Sequence, residues 1–277
     1  MKREIQRLYG RSKLSVVALT LIIIFAVIAL VGPYTYSVNP FSTGPDSFFP
    51  PWSRYPMGTD DLGRDVFAQL LSGIRTSMII GSLASIATVL IGMMIGAVSG
   101  YVGGWVDDIL MRLTEFFQVI PRFVLALVMV SLLGSSIWNV ILVIGLLSWP
   151  TTARLMRAQY LSLRQQEFVE AAKVIGIGHL KIIFLEILPN AMAPVVINST
   201  LEVANAVLLE SGLSFLGLGD PSAVSLGVML NRAMLFMRTA WWLTVFPGAA
   251  ISVLVLSFNL VGDTLSEELN PRKPIEL

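Results

Sequence analysis

The chain has 277 residues, with 19 Lys or Arg, 18 Asp or Glu, one His and no Cys, for a formal net charge of +1. Only 13% of residues are charged, against about 25% in a soluble domain, while 55% are hydrophobic and the mean hydropathy is +0.76. This excludes an ordinary soluble enzyme, a basic nucleic-acid binder, any disulfide or thiolate metal centre, and any His cluster or Ser-His-Asp triad within the chain, leaving an integral membrane protein.

A spanning helix needs about 20 mostly apolar residues. The first charge-free run, Leu14–Gly32, follows a basic start with Lys2, Arg3, Arg7, Arg11 and Lys13. A signal peptide begins the same way, but its apolar stretch is shorter, about 7–15 residues, and no small-residue cleavage site stands out. No charge lies between Arg75 and Asp107, which predicts a second span over Ser77–Ser99. The run between Arg122 and Arg154 is too long for one span and is punctuated by Gly134-Ser135-Ser136. It divides into spans over Leu113–Leu133 and Ile137–Met156. A fifth span is predicted over Ala191–Phe215 and a sixth over Thr239–Gly262, ahead of a polar tail with Asp263, Glu267, Glu268, Arg272 and Lys273. The expected fold is all-α and integral to the membrane, with six transmembrane helices.

Six spans put both termini on one side, and the distribution of Lys and Arg selects the cytoplasm. Five basic residues lie in 1–13 and five in 151–188 (Arg154, Arg157, Arg164, Lys173, Lys181), against two in 33–74 and two in 216–238. The Gly100–Arg112 loop is cytoplasmic by parity. The chain then divides into a cytoplasmic N-terminus (1–13), a first span (14–32), an external loop (33–74), a five-helix core (75–263) with a cytoplasmic loop (160–190), and a cytoplasmic tail (264–277).

The external loop contains Pro50-Pro51-Trp52 and then Gly58-Thr59-Asp60-Asp61-Leu62-Gly63-Arg64-Asp65. Long loops are often functional, although a structured lid without special chemistry explains the composition as well. Clustered carboxylates suit hard cations, but the spacing is not that of an EF-hand and Arg64 sits among them, so no metal site is expected. Three charges lie at membrane depth, where they are costly and face protein or water. Arg122 follows Pro121. The remainder Phe123–Leu133 measures only about 16 Å, so the helix is expected to continue past Arg122. The guanidinium then either snorkels to the headgroups or faces a water-filled vestibule. Glu202 and Glu210, eight residues apart, project about 80° apart on the fifth span. Each either makes a polar contact between subunits or lines a translocation path.

The cytoplasmic segment reads Arg164-Gln165-Gln166-Glu167-Phe168-Val169-Glu170-Ala171-Ala172-Lys173-Val174-Ile175-Gly176-Ile177-Gly178-His179-Leu180-Lys181. Glu167–Val174 is a good helix former with acids in its first turn. Gly176 and Gly178 permit the positive φ that ends the helix and reverses the chain. A second short amphipathic helix is expected to Glu186, and Pro189 to begin the next span. Such a helix–turn–helix lies either on lipid or on a protein partner.

Glu170-Ala171-Ala172, then Gly176, then Leu188-Pro189 resembles the "EAA" loop of ABC importer permeases, with Glu186 where that pattern usually has isoleucine. Gly58-Thr59-Asp60-Asp61-Leu62-Gly63-Arg64-Asp65-Val66, Trp149-Pro150, Leu213-Ser214-Phe215-Leu216-Gly217-Leu218-Gly219 and Phe258-Asn259-Leu260-Val261-Gly262-Asp263 are similar to the dipeptide/oligopeptide/nickel branch, "C"-type subunit. The resemblance implies a type I importer fold with a cytoplasmic coupling helix. It assigns ATPase docking to the loop bearing Glu167, Glu170, Ala171, Ala172, Gly176, His179 and Leu180. It implies as partners a paralogous permease, two cytoplasmic ATPase subunits and an external solute-binding protein, within the lipid of a prokaryotic cell membrane. Glu210 matches an acid of the family pattern, whereas Arg122 and Glu202 do not. No Walker A loop is present, so ATP and Mg are expected on the partner ATPases and no cofactor or catalytic residue on this chain. Di- or oligopeptides are the expected cargo, with nickel chelates or oligosaccharides as alternatives within the class. An ion-driven secondary transporter is the alternative outside it, although no internal repeat is apparent.

Overall fold

The computed structural model describes residues 13–268, so most of the N-terminal basic cluster and the Arg272–Lys273 tail lie outside the described residues. Helix α1 is Lys13–Thr35, α2 Val66–Val102, α3 Gly104–Val119, α4 Arg122–Leu133 and α5 Ile137–Leu163. Then come α6 (Glu167–Val174), α7 (His179–Lys181), α8 (Leu188–Leu213), α9 (Leu226–Ala233) and α10 (Trp242–Glu268). One π-helical turn, Ile182–Ile187, joins α7 to α8, and another, Ser214–Leu218, extends α8.

Among the described residues five helical runs are long and apolar enough to cross a membrane: Leu14–Thr35, Val66–Val102, Ile137–Leu163, His179–Leu218 and Trp242–Glu268. The sixth crossing is α3 with α4, bent by 86°. This corrects the expectation of one helix running through Arg122. Pro121 holds φ −57, ψ 111 and Ile120 is extended, so the helix stops before Pro121 and restarts at Arg122. Other boundaries move too. Helix α2 begins at Val66, inside the segment expected to be loop, and the expected Gly100–Arg112 loop is helical except at Gly103, where Gly103 (φ +71) and Gly104 (φ +56) turn the chain. No break precedes Pro189, and α10 continues through Asp263 and Glu267.

Bilayer lipid is as apolar as leucine, so membrane helices associate through close packing and polar contacts. Along α2, Gly92, Gly96 and Gly100 repeat every four residues and face α5. A Cβ on Gly92 would stand 2.5 Å from Thr152 Cβ, and one on Gly100 would stand 2.6 Å from Tyr160 Cβ. A Cβ on Gly96 would run into the Ala153 carbonyl oxygen. From the other side Gly145 of α5 admits Ala87 of α2. The Asp107 carboxylate ties α3 to the same pair. It accepts from Arg157 Nε and Nη2, each at 2.6 Å, and from the Ser99 hydroxyl.

Three apolar clusters follow one another along α2. Val66, Leu70 and Ile74 pack with α1, α9 and α10, then Ile80 and Ala84 with α4, α5 and α8, then Ala97 with α5, α6 and the start of α8. Helix α1 packs on α2 and α10 and leaves most of its surface apolar and exposed, as suits a lipid-facing helix; the Ser15 and Thr264 hydroxyls meet at 2.7 Å.

The long loop folds back on itself and clasps three helices. Asp60 accepts four hydrogen bonds, from the Leu62 and Arg64 amides, Arg64 Nε (2.7 Å) and Gln69 Nε2 (2.9 Å). Asp65 caps α2 by accepting from the Phe67 and Ala68 amides, and its second oxygen accepts from the Tyr36 hydroxyl at 2.6 Å, which secures the end of α1. Trp242 of α10 donates its indole N–H to the Thr59 carbonyl at 3.2 Å. Gly58 has φ +77, and a Cβ there would stand 2.5 Å from the Phe49 oxygen and 2.9 Å from that indole nitrogen.

Two outcomes follow. Gly96→Ala is expected to destabilise the membrane domain by about 1–3 kcal/mol through overpacking, read as a lowered Tm in detergent. Gly248→Ala, whose Cβ would meet nothing within 4 Å, should be neutral or slightly stabilising, since alanine favours a helix over glycine by about 1 kcal/mol. Burial and the Asp65 carboxylate push the Tyr36 phenol up to about 12. A raised phenol pKa means the fold holds that proton more tightly, so the contribution is complete below pH about 10, the unfolded value, and is lost as pH rises through the folded value. The stability gap between wild type and Tyr36→Phe should therefore be constant up to pH about 10 and shrink above it; a gap that widens with alkali would contradict this pairing.

Candidate functional site

The 160–190 segment forms a hairpin at one end of the helical bundle. Helix α6 buries Val169 and Ala172 against Met156, Tyr160, Ile182, Ile183 and Ile187. A residue larger than alanine at 172 would push α6 off this base. On the other face Glu167, Glu170 and Ala171 are exposed; the two acids sit in the first turn, where the helix dipole favours them, and Glu170 pairs with Lys173 at 2.8 Å. The helix ends in a Schellman motif. The Ile177 amide donates to the Ala172 carbonyl and the Gly176 amide to the Lys173 carbonyl, both at 3.0 Å, with Gly176 at φ +83. Gly178 is a correction: its φ is −65, ordinary extended backbone, so only Gly176 supplies the left-handed turn.

Around that turn Val174, Ile175 and Leu180 are 86%, 78% and 72% exposed. An apolar tip of this kind is held on a fixed base. Tyr160 donates from its hydroxyl to the Ile183 carbonyl at 2.8 Å, Arg164 Nη1 donates to the Gly100 carbonyl at 3.0 Å, and the Tyr101 hydroxyl bonds His179 Nδ1 at 2.8 Å. His179 thus braces the hairpin against the end of α2. The Tyr160 and Arg164 anchors escaped sequence reasoning, as did the glycines of α2. The spacing Gly92-x3-Gly96-x3-Gly100 within an apolar stretch was the signal for the latter; no local signal marks the former.

The three charges at membrane depth go to two places. Arg122 Nη1 donates to Ser148 Oγ at 3.3 Å and stands 3.8 Å from Glu202 Oε2, so α4, α5 and α8 meet at the break in the broken span. Glu202 is buried, whereas the Arg122 side chain remains 38% exposed. Glu210 is 1% exposed and lies apart from them. It accepts from Ser214 Oγ at 2.7 Å, Ser77 Oγ at 3.0 Å and Ser211 Oγ at 3.4 Å, all in its own chain. Glu210 therefore neither lines an open path nor reaches another subunit in this conformation. The Leu213–Gly219 motif serves this network: Ser214 bonds Glu210, and Gly217 at φ +89 turns the chain out of the helix. Near the far end of α8 the side chain of Asp220 receives the Ile137 amide and so caps α5; hydrogen bonds from Ser222 and from that amide outweigh desolvation and hold its carboxyl below the usual range.

In the loop motif, Gly58, Thr59, Asp60, Gly63, Arg64 and Asp65 are all engaged within the clasp, and Asp61 stands 3.6 Å from Arg64. Among the described residues no three Asp, Glu or His side chains converge as metal ligands. The polar groups of these motifs serve caps, clasps and ion pairs. What the arrangement offers is a membrane bundle with a rigid apolar knob at one end and an ion pair at the break in its broken span.

Known proteins agree with that architecture. The dipeptide transport system permease protein DppC of Alkalihalophilus pseudofirmus is 35% identical over 272 residues, covering 98% of this chain and 90% of that protein. The DppC protein of Haemophilus influenzae is 36% identical over 272 residues, covering 95% and 92%. The methionine ABC transporter MetNI in an inward-facing conformation shares the fold with a TM-score of 0.59 at 16% identity, over 73% of this chain and 96% of that one. The profile of the family described as binding-protein-dependent transport system inner membrane component matches residues 89–273. The chain belongs to this family of ABC-transporter permeases and is a multi-pass membrane protein, a transport subunit rather than an enzyme.

Proposed function

We propose that the chain forms half of the translocation channel of an ATP-driven importer of di- and oligopeptides, completed by a paralogous permease. The hairpin carries the reading: Val174, Ile175 and Leu180 form an exposed apolar tip on a base fixed by Tyr160, Arg164 and the Gly176 turn. A short helix anchored in this way fits a groove on a cytoplasmic ATPase and passes its motion to the spans. Two such ATPases bind ATP and Mg, and an external solute-binding protein delivers the peptide. The hairpin and both termini then lie in the cytoplasm of a prokaryotic cell, as the basic residues of 1–13 and 151–188 favour, and the clasped loop lies outside. The peptide cargo rests on the printed function of the DppC relatives.

Gly176→Val tests the docking assignment. A β-branched residue at φ +83 costs about 1–3 kcal/mol, yet a Cβ there meets nothing within 4 Å, so the strain stays local to the turn. Expected is loss of co-purification with the tagged ATPase, or loss of peptide-stimulated ATP hydrolysis and at least about a tenfold fall in uptake, equivalent to about 1.4 kcal/mol, while the isolated permease pair still folds, its Tm lowered only by that local strain. Normal assembly and uptake would remove the coupling role from this turn.

A further inference from the structure

The ion pair at the break in the broken span points to a role in handling cargo. Helices α4 and α5 are joined through Gly134-Ser135-Ser136. Arg122 stands as many residues before Gly134 as Ser148 stands after Ser136, so both lie about 18 Å from that turn at 1.5 Å per residue. With that turn at the edge of a hydrocarbon layer about 30 Å thick, the depth is near its middle. A guanidinium carries five N–H donors, and among the described residues only Nη1 of Arg122 has a partner, Ser148 Oγ at 3.3 Å. Glu202 Oε2 at 3.8 Å balances the charge. It lies beyond the roughly 2.7–2.9 Å of a charge-assisted hydrogen bond, so it neutralises Arg122 without occupying the guanidinium fork.

An arginine with unused donors at this depth does not face lipid tails. The backbone opened at Ile120 and Pro121 also needs protein or water beside it. The exposed edge of Arg122 therefore needs protein or water beside it. We propose that Arg122 is a carboxylate-recognising residue of the translocation path, with Glu202 as its resident counter-ion. The inference rests on the peptide reading above. A linear peptide carries an α-carboxylate, which a planar guanidinium can hold by two parallel hydrogen bonds. Glu202 keeps the cation tolerable when no cargo is present, and the longer separation leaves the fork free when cargo arrives.

The test uses the full complex with its binding protein in proteoliposomes, with trialanine and trialanine amide as probes and ATP hydrolysis as the second readout. Arg122→Gln is expected to slow trialanine uptake at least about tenfold, with ATP hydrolysis stimulated by loaded binding protein kept within about twofold. Arg122→Lys, which keeps the charge and loses the fork, should fall between wild type and Arg122→Gln. The double variant Arg122→Gln/Glu202→Gln, which leaves no unpaired buried charge, should assemble as wild type does and transport as poorly as Arg122→Gln. Uptake of trialanine amide should be slow in wild type and insensitive to Arg122→Gln. Recovery of trialanine uptake in the double variant would overturn the proposal, because Arg122 would then serve only to neutralise Glu202. So would a parallel loss of uptake and ATP hydrolysis, normal uptake by Arg122→Gln, or amide uptake as fast as that of trialanine and equally sensitive to the substitution. Wild-type complex that takes up neither probe while hydrolysing ATP would instead overturn the peptide reading itself.

Discussion

The backbones of α2 and α5 lie against each other over Gly92, Gly96 and Gly100, and most of the molecule is arranged around that contact. Inside a bilayer no water is released when two apolar helices meet, so the attraction must come from atoms brought close together. Three glycines in register let α2 approach Thr152, Ala153 and Tyr160. Tyr160, fixed there, then carries the hairpin through its bond to the Ile183 carbonyl. Ser99 and Arg157, on either side of the same contact, together hold Asp107 and thereby the first half of the broken span. A wedge between α2 and α5 would disturb all three at once.

Polar groups serve the complementary task of fixing positions that apolar packing leaves free. Glu210 is closed off by serines from α2 and α8, the long loop gathers its acids and Arg64 into a clasp, and Asp220 caps α5. Each of these groups is satisfied nearby, as a carboxylate must be where water is scarce. Arg122 differs. Its side chain stays 38% exposed with a single hydrogen bond, and it stands at the only sharp bend found among the long apolar helices of the described residues.

The sequence made the spans legible because charge-free runs are long and the punctuation is strong: Gly134-Ser135-Ser136 falls between α4 and α5. The Gly176 turn was legible because a helix with acids at its start and a glycine just past its end has few other conformations. The break at Pro121 was not. A length argument treats a span as a straight rod, and hydropathy adds up the same on both sides of an 86° bend. Gly178 misled because glycine permits positive φ without requiring it. The surroundings of Glu210 were hidden for another reason: Ser77 is 133 residues away in the chain, so nothing local announces the contact. The spacing of the loop acids and Arg64 among them spoke against a cation site, but what Asp60 does instead, accepting four hydrogen bonds, is visible only in the fold.

The helix runs unbroken from His179 to Leu213, through the π-helical turn Ile182–Ile187 and past Pro189 and Pro194, and the chain turns out of it at Gly217 (φ +89). At 1.5 Å per residue it is a lever about 50 Å long. One end lies beside the exposed knob at Val174 and Leu180, and the other ends at the serine cage around Glu210 and the Gly217 turn. Glu202 rides between them. A tilt of about 5° at the knob end displaces the far end by about 4 Å if the pivot lies at the knob, and swings Glu202 by roughly two thirds of that, in proportion to its place along the rod. The same stroke that reaches the far side of the membrane is thus geared down at the break in the broken span, where a shift of one or two ångströms separates a paired arginine from an open one.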